Sequence, residues 1–372
     1  MKRILLVVAA AVALAACGSS SKTSSNTTNT TSSSSSSSVA LQTGNPTSPV
    51  TLNEDGSSLL YPYLQELVSP LHAAYSNITL TPAAGGSGKG ISDAIAGTVQ
   101  MGGSDAYLSN SEIAANPGLM NIPIAVSAQA INYNLTGITN LKLSGSVLAQ
   151  MYEGKITKWN DPAIAALNSG VTLPATPVVP VRRVDSSGDT FIFTSLLSAT
   201  DTTWSNGPAF GTTVTWPAVS SELTASGNPG MVQTCKATPG CVAYVGVSAE
   251  STAMAAGLGE AMLKNKAGSF VLPTADTINA AVSAGAGNIP ANLAVSLIYE
   301  PGDQSYPIVN FEYIVVKSSQ PNANTAQAIR SFFAFAISPT GGSQPSLLSK
   351  ENFVALPSSV VPKVEAAAAK IS

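Results

Sequence analysis

The sequence has few charged residues. They form 10% of its 372 residues, against about 25% in average soluble domains. Its 17 basic and 20 acidic residues give a net charge of −3, which lacks the basic excess of a nucleic-acid-binding surface. One histidine excludes a histidine-rich metal site, and three cysteines exclude a disulfide scaffold and a four-cysteine zinc site. We therefore expect no nucleic-acid partner, no metal and no cofactor.

The amino terminus is typical of an exported protein. Two basic residues precede the apolar run Ile4–Ala13, which is shorter than the roughly 20 residues of a membrane-spanning helix. A Leu-Ala-Ala-Cys sequence ending at Cys17 then resembles the lipidation motif of bacterial lipoproteins. The resemblance implies a signal peptide over 1–16 and a lipid on Cys17. The alternative is a plain secretory signal followed by a chance cysteine.

A flexible tether is predicted over residues 17–47. Within it, residues 18–38 contain 17 serines or threonines among 21 residues, too few apolar groups to offset the entropy of ordering. The other two cysteines, Cys235 and Cys241, are predicted to form a disulfide outside the cytoplasm, closing a small loop. A zinc-binding cysteine pair is the alternative, but it would lack further soft ligands nearby.

After the tether, strand and helix patterns alternate. The predicted helices are 57–75, 91–99, 146–152, 162–167, 190–197, 249–256, 274–286 and 325–337. The predicted strands are 50–52, 77–81, 101–103, 122–124, 128–133, 178–184, 242–247 and 310–316. This alternation predicts an α/β fold with parallel strands.

Three stretches place glycine and serine between a strand and a helix. They are Asp55–Leu59, Gly86–Gly90 and Arg183–Thr190. Helix N-termini offer free N–H groups and a partial positive charge. One such turn is usually only a helix cap, but three in one chain favour an anion held by several helix N-termini. Arg183 adds a permanently charged, bidentate donor.

Catalytic interpretations of these loops fail on their residues. A phosphate-binding Walker loop requires Ser or Thr after Gly88-Lys89, where the chain has Gly90. A nucleophile elbow requires Gly two residues after Ser87, where the chain has Lys89. A serine triad needs a histidine, and the one histidine, His72, lies in a predicted amphipathic helix. The loops therefore indicate binding rather than nucleophilic catalysis.

Five ordered motifs resemble the phosphate-binding proteins of bacterial high-affinity phosphate ABC transporters, particularly the lipid-anchored mycobacterial form. The motifs are Gly-Ser-Ser-Leu-Leu-Tyr-Pro (56–62), Gly-Gly-Ser-Gly-Lys-Gly (85–90), Gly-Gly-Ser-Asp-Ala-Tyr-Leu (102–108), Gly-Lys-Ile-Thr-Lys-Trp-Asn-Asp-Pro (154–162) and Arg-Val-Asp-Ser-Ser-Gly-Asp-Thr-Phe (183–191). The resemblance implies a two-lobed type II periplasmic-binding-protein fold with a ligand cleft between the lobes. Lobe I would comprise 48–126 and 308–372, and lobe II would comprise 127–307.

The resemblance also implies a set of phosphate contacts. They are Ser58, Leu59, Ser87, Asp105, Arg183, Ser187, Gly188 and Asp189. Asp185 matches the family aspartate that holds the arginine. Many family members have Thr in place of Asp189, so its carboxylate either accepts a second proton or points away. Gln100 replaces a common family aspartate and is assigned no role.

Asp105 is the informative residue, because a carboxylate facing an anion can accept a proton from hydrogenphosphate but not from sulfate. An unpaired buried acceptor costs about 1–3 kcal/mol, so selectivity would come from penalising sulfate. The implied function is capture of inorganic phosphate and its delivery to a membrane permease. We expect a non-enzymatic monomer, lipid-anchored to the outer face of the cytoplasmic membrane. The alternatives are another oxyanion or phosphorylated ligand, a surface phosphatase, or adhesion and sensing.

Overall fold

A computed structural model describes residues 41–372. The predicted signal peptide, Cys17 and residues 18–40 of the predicted tether lie outside the described residues. The strands are β1 (Val50–Gly56), β2 (Ile78–Thr81), β3 (Met101–Ser104), β4 (Leu119–Tyr133), β5 (Lys142–Leu143), β6 (Val179–Arg183), β7 (Leu223–Ala225), β8 (Cys241–Gly246), β9 (Gly259–Glu260), β10 (Met262–Lys264), β11 (Phe270–Val271), β12 (Leu297–Ile298) and β13 (Ile308–Lys317).

Residues 41–372 form thirteen α-helices, of which eight were predicted to within four residues at each end and five were not predicted. They are α1 (Tyr61–Ala74), α2 (Ser87–Ala96), α3 (Asn110–Ala115), α4 (Gly145–Tyr152), α5 (Pro162–Leu167), α6 (Gly188–Thr200), α7 (Thr202–Asn206), α8 (Gly227–Lys236), α9 (Glu250–Ala255), α10 (Ala275–Gly285), α11 (Ala323–Ala336), α12 (Pro345–Leu348) and α13 (Val361–Ala368). Within residues 41–372, no helix has the length and apolar character needed to cross a membrane.

Most strands join one mixed sheet in the order β2-β1-β3-β13-β4-β8-β6-β7. The outer strands pair in parallel, β1 with β2 and β3, and β6 with β7 and β8. In the centre, β13 pairs antiparallel with β3 and β4, and β4 pairs antiparallel with β8. The α/β class and the presence of parallel strands are confirmed, and the sheet also has an antiparallel centre, because β13 returns between β3 and β4.

The two longest strands, β4 and β13, lie side by side at the centre. The sequence predicted two short strands over 122–124 and 128–133, and this division is wrong. Residues 125–127 continue the pairing, with Val126 opposite Phe311 and Ser127 opposite Asn310. Since β4 and β13 are almost wholly buried, they connect the two halves of the sheet through the core.

Helix α1 illustrates how the predicted apolar spacing becomes the core. Leu64, Leu67 and Leu71 recur at helical intervals and are fully buried, as the 3.6-residue period requires for one face. The residues just before β1 also pack on a helix: Gly44 N donates to Ser331 Oγ of α11 (3.0 Å). Contacts with the folded unit therefore begin within the segment predicted as tether.

The parallel strands place the glycine loops together. In open α/β sheets, ligands bind at the carboxyl ends of parallel strands. The first glycine-serine loop follows β1, Asp105 follows β3, and the loop of Asp185 and Ser187 follows β6. Strand β7 ends just before α8 and Asn228. Four strand ends therefore present polar side chains to one region.

The predicted disulfide is confirmed: Cys235 at the end of α8 is bonded to Cys241 at the start of β8, with Cα atoms 5.2 Å apart. Both cysteines are buried. Because the bridge closes a small loop in the unfolded chain, we expect Cys235→Ala/Cys241→Ala to lower the free energy of unfolding by about 2 kcal/mol. Urea unfolding measures this. Reductant should destabilise the wild type and leave the double variant unchanged, and equal sensitivity of both would contradict the prediction.

Candidate oxyanion-binding site

Asp105 lies at the centre of the site. The carboxylate follows β3 and is 2% exposed. Its Oδ1 accepts a hydrogen bond from Ser57 Oγ, and its Oδ2 accepts one from Ser87 Oγ (3.2 Å). Ser87 Oγ in turn accepts from the Asp105 N–H (3.2 Å). The first two glycine-serine loops are therefore both hydrogen-bonded to Asp105.

The first loop differs in detail from the expected contacts. Ser57, which the sequence did not single out, accepts the N–H groups of Leu59 and Leu60, each at 3.0 Å. Ser58 Oγ instead accepts from Asn228 N (3.2 Å) and Nδ2 (3.3 Å). The predicted phosphate-binding roles of Ser58 and Leu59 stay predictions, and the Leu59 N–H already donates to Ser57 Oγ in this arrangement.

Arg183 extends from the end of β6, and its side chain is 1% exposed. Its Nε donates to Asp185 Oδ1 (2.8 Å), and its Nη2 donates to Asp185 Oδ2. Its Nη1 donates to Asp189 Oδ2 (2.7 Å). Neighbouring Arg182 points elsewhere, to Glu222 Oε1 (2.6 Å) and the Trp216 ring. The Arg-x-Asp spacing thus selected the arginine that lies in the site.

Asp189 is fixed by several donors. Its Oδ2 accepts from Arg183 and from Asn228 Nδ2 (2.9 Å), and its Oδ1 accepts from Gln129 Nε2 (3.1 Å). The carboxylate is fully buried against these groups. Asp189 therefore faces the arginine rather than solvent.

The N-terminus of α6 lies directly against Asp105. Ser187 caps this helix, its Oγ accepting from Thr190 N (3.3 Å), while the first N–H groups of a helix have no acceptor within it. A Cβ on Gly188 would lie 2.3 Å from Asp105 Oδ2 and 2.4 Å from Ser87 Oγ. Only glycine permits so close an approach at this position. The Gly88 N–H also donates to Ser186 O (3.1 Å), so the second and third loops meet.

A second carboxyl group, Glu312, lies beside Asp105 and was not anticipated. It is fully buried on β13. Its Oε1 accepts from Asn310 Nδ2 (3.0 Å) and from Ser127 Oγ. Asn310 Nδ2 also approaches the Asp105 carbonyl oxygen (3.4 Å). Glu312 Oε2 has no hydrogen-bond partner within residues 41–372, and the Asp105 side chain is close enough to interact with the Glu312 carboxyl.

Burial dominates the electrostatics of these acids. It raises the pKa of Asp105 well above its usual range, and the Glu312 carboxylate adds to the effect. Burial and the charge of Asp105 raise the pKa of Asp189 to about 7. Burial also raises the pKa of Glu312 to about 7. Burial alone would raise the pKa of Asp185, but the Arg183 hydrogen bond and charge outweigh it and lower that pKa.

The raised pKa values of these acids favour the retention of protons in the site. Burial disfavours the charged guanidinium of Arg183, but hydrogen bonding and the charges of Asp185 and Asp189 outweigh it and raise the arginine's pKa. If Asp105, Asp185, Asp189 and Glu312 were all ionised, one cation and four anions would give a charge of −3. Raised acid pKa values reduce that charge, because desolvation and like charges favour the protonated form.

Sequence reasoning identified the local loops but missed side chains brought in by distant elements. These are Gln129, Asn228, Asn310 and Glu312. Within the first loop, the role of Ser57 was also missed. One signal was present: Asn310 and Glu312 are two residues apart in an otherwise apolar strand, so they share a face. Polar residues with that spacing in a buried strand indicate a polar site rather than core.

Comparison with known proteins agrees with this geometry. A profile of the family described as a PBP superfamily domain matches residues 20–340. The phosphate-binding protein PstS of Pasteurella multocida is 32% identical over 86% of this chain and 90% of its own length. The phosphate-binding protein PstS 3 of Mycobacterium leprae is 33% identical over 87% of each chain.

A solved structure supports the same fold. An ABC-type phosphate transport receptor from Vibrio cholerae superposes with a TM-score of 0.54 at 18% identity, covering 82% of this chain and all of its own. The mixed α/β sheet and the loops at its strand ends define a solute-binding protein of the type II periplasmic fold. Within that class, this chain belongs to the PstS family of phosphate-binding proteins.

Proposed function

We propose that this chain captures inorganic phosphate and delivers it to the membrane permease of an ABC transporter. The observation that carries the proposal is the convergence of Arg183, held by two carboxylates, with Asp105 and two serine hydroxyls at the ends of parallel strands. The proposed phosphate contacts are Ser58, Leu59, Ser87, Asp105, Arg183, Ser187, Gly188 and Asp189, with Asp185 holding the arginine.

In this proposal, several hydrogen-bond donors and one acceptor, Asp105, together explain why the site prefers phosphate to sulfate. Arg183, serine hydroxyls and helix N–H groups donate to phosphate oxygens. Asp105 accepts the proton of hydrogenphosphate, whereas sulfate has no proton to give. A fully ionised ligand would leave lone pairs and like charges facing one another in a buried site.

Two lobes, 48–126 with 308–372 and 127–307, close over the ligand in this proposal. The order of the sheet supports it, since β1, β2 and β3 lie on one side of the β13–β4 pair and β6, β7 and β8 lie on the other. The two connections between lobes would then run through β4 and β13. Phosphate contacted from both sides would favour the closed state by its differential affinity.

The proposal places the protein at the outer face of the cytoplasmic membrane as a monomer, anchored by a lipid on Cys17. Support comes from the signal sequence and the Leu-Ala-Ala-Cys motif. Phosphate would leave chemically unchanged, since binding and transfer alone are required. The Vibrio cholerae receptor is described as part of ABC-type phosphate transport, which favours a permease as the partner of this chain.

Calorimetric titration tests the proposal. The full chain, held in detergent, is freed of bound ligand by unfolding and refolding, then titrated with phosphate alone and with phosphate in excess sulfate. We expect one-to-one binding that survives sulfate, and no release of phosphate from a chromogenic phosphate ester. A folded, ligand-free protein that gives no phosphate heat would contradict the proposal, and competition with other oxyanions would then identify the ligand.

A further inference from the structure

Beneath Asp105, the two central strands carry a buried polar cluster made of Ser127, Asn310 and Glu312. Ser127 on β4 is the register partner of Asn310 on β13. Asn310 and Glu312 point to the same face of β13 and lie next to Asp105. The pairing of β13 with β4 shifts register between Glu312 and Tyr313. Such bulges re-aim side chains and are common next to functional sites.

The hydrogen bonds of this cluster account for one glutamate oxygen and not the other. Ser127 and Asn310 both donate to Glu312 Oε1. Oε2 is buried with no hydrogen-bond partner among residues 41–372, and the Asp105 side chain lies within hydrogen-bonding reach of the Glu312 side chain. Two carboxyl groups in contact in a dry site cannot both be ionised without a large electrostatic cost. A proton between them satisfies the orphan oxygen and removes one negative charge.

Few other charges face Glu312. The loop after β3 contributes Asp105, and α6 contributes Asp189, both of them acidic. Tyr313 neighbours Glu312 on β13 itself. The positive charge of Arg183, on β6, partly offsets the burial that raises the pKa of Asp105. The residues of β4 opposite Glu312 and Asn310 are Ala125 and Ser127, and both are neutral. The surroundings of Glu312 are thus mainly acidic and favour retention of a proton.

We propose that Glu312 is a specificity-determining positioning residue of the phosphate site, because it shares one proton with Asp105 in the ligand-bound state. With the proton on Glu312, Asp105 remains an acceptor toward hydrogenphosphate while the pair carries a single negative charge. Glu312 itself acts through Asp105 and does not contact the ligand. The inference rests on the proposed phosphate function and adds to it a proton that belongs to the protein.

A pH dependence follows from the shared proton. In the free protein, burial holds the pKa of Glu312 at about 7. An anion bound beside the pair favours its protonated form, so the pair's pKa rises on binding. Above neutral pH, the free protein must therefore take up a proton to bind phosphate. Affinity then falls as pH rises, by up to about tenfold per pH unit for one proton.

Glu312→Gln tests this directly in the full chain. Glutamine keeps the shape and a donor N–H, so it resembles the protonated glutamate at every pH. Phosphate affinity is measured by calorimetry from about pH 6 to about pH 9, with proton uptake obtained from two buffers of different ionisation enthalpy. The ratio of the two proteins' affinities cancels the ionisation of phosphate itself. We expect near-equal affinity at the acidic end and a wild type weaker by at least about tenfold at the alkaline end. At the alkaline end, we also expect Glu312→Gln to take up nearly one proton fewer than the wild type when it binds phosphate.

Two further variants keep the test decisive. Glu260→Gln removes another glutamate whose pKa is raised by burial, but one placed on β9 and away from Asp105; its pH profile should match the wild type. Ser127→Ala removes a donor to the ionised form of Glu312, so it should raise that pKa and move the fall in affinity to higher pH. If Glu312→Gln does not fold, the pH profile of Ser127→Ala still tests whether Glu312 holds the shared proton.

The results separate this inference from the proposed function. A wild type that binds no phosphate at any pH contradicts the function itself. A wild type that binds phosphate while Glu312→Gln retains the same pH slope and proton uptake overturns the inference alone. An unchanged profile in Ser127→Ala, with Glu312→Gln unfolded, overturns it as well.

Discussion

Replacing Arg183 by alanine is expected to weaken phosphate binding by at least about tenfold, measured by calorimetric titration. Among residues 41–372, the guanidinium is the one cation in contact with Asp185 and Asp189, at 2.8 Å and 2.7 Å. Hydrogen bonds to charged groups contribute about 1.5–3 kcal/mol each, and a planar fork matches phosphate oxygens in pairs. Alanine removes both the donors and the charge that offsets the surrounding acids.

The chain provides a matched control in the adjacent arginine. Arg182 pairs with Glu222 and lies over the Trp216 ring, with its side chain 24% exposed. Arg182→Ala removes the same charge from the same strand without altering the site. We therefore expect phosphate affinity within about threefold of the wild type. Equal losses in the two variants would mean that net charge, rather than the Arg183 fork, controls binding.

Loss of Arg183 also leaves two carboxylates without a partner in the core. That loss can destabilise the fold, so each variant is first checked by circular dichroism and thermal melting. Arg183→Lys keeps the charge but lacks the planar fork, and should give an affinity between those of the wild type and Arg183→Ala. Wild-type affinity in folded Arg183→Lys and Arg183→Ala would remove Arg183 from the site.

The success of sequence reasoning at this arginine has a local cause. Arg183, Asp185 and Asp189 lie within one continuous motif, and the contacts among these three residues are made within that same loop and helix. The same holds for α1, whose apolar spacing predicted its buried face. Where the physical pattern is local, residue order was enough to predict structure.

The failures arose where distant elements decide the outcome. Strand β4 was split because the alternation around Ala125 and Ser127 does not reveal its partner β13. Helix α8 was missed because Gly227, Pro229 and Gly230 open it, and such residues are typical of turns. Its Asn228 binds Asp189, a contact that depends on tertiary packing. Glu312 was missed for the same reason, since its partner Asp105 follows another strand.

Replacing Asp105 by asparagine is expected to reduce the preference for phosphate over sulfate by about 5- to 150-fold, since the penalty removed is about 1–3 kcal/mol. The asparagine amide has the same shape, keeps one acceptor oxygen and gains a donor. That donor can bind a sulfate oxygen, whereas the Asp105 carboxylate cannot. Ser57 and Ser87 donate to different oxygens of Asp105, so one of them keeps its acceptor in the asparagine variant.

Direct titration of both anions against both proteins measures the ratio of affinities, and the ratio matters more than either value alone. Asp185→Asn serves as the control, because Asp185 holds the Arg183 fork through Nε and Nη2. Loosening that fork should weaken phosphate and sulfate by similar factors and leave their ratio unchanged. If the ratio of phosphate to sulfate affinity is unchanged in Asp105→Asn, Asp105 does not discriminate between the two anions. If the ratio shifts in Asp105→Asn but not in Asp185→Asn, the Asp105 carboxylate is the group that discriminates between the two anions. Both variants lose one negative charge, but only Asp105→Asn gains a donor facing the ligand.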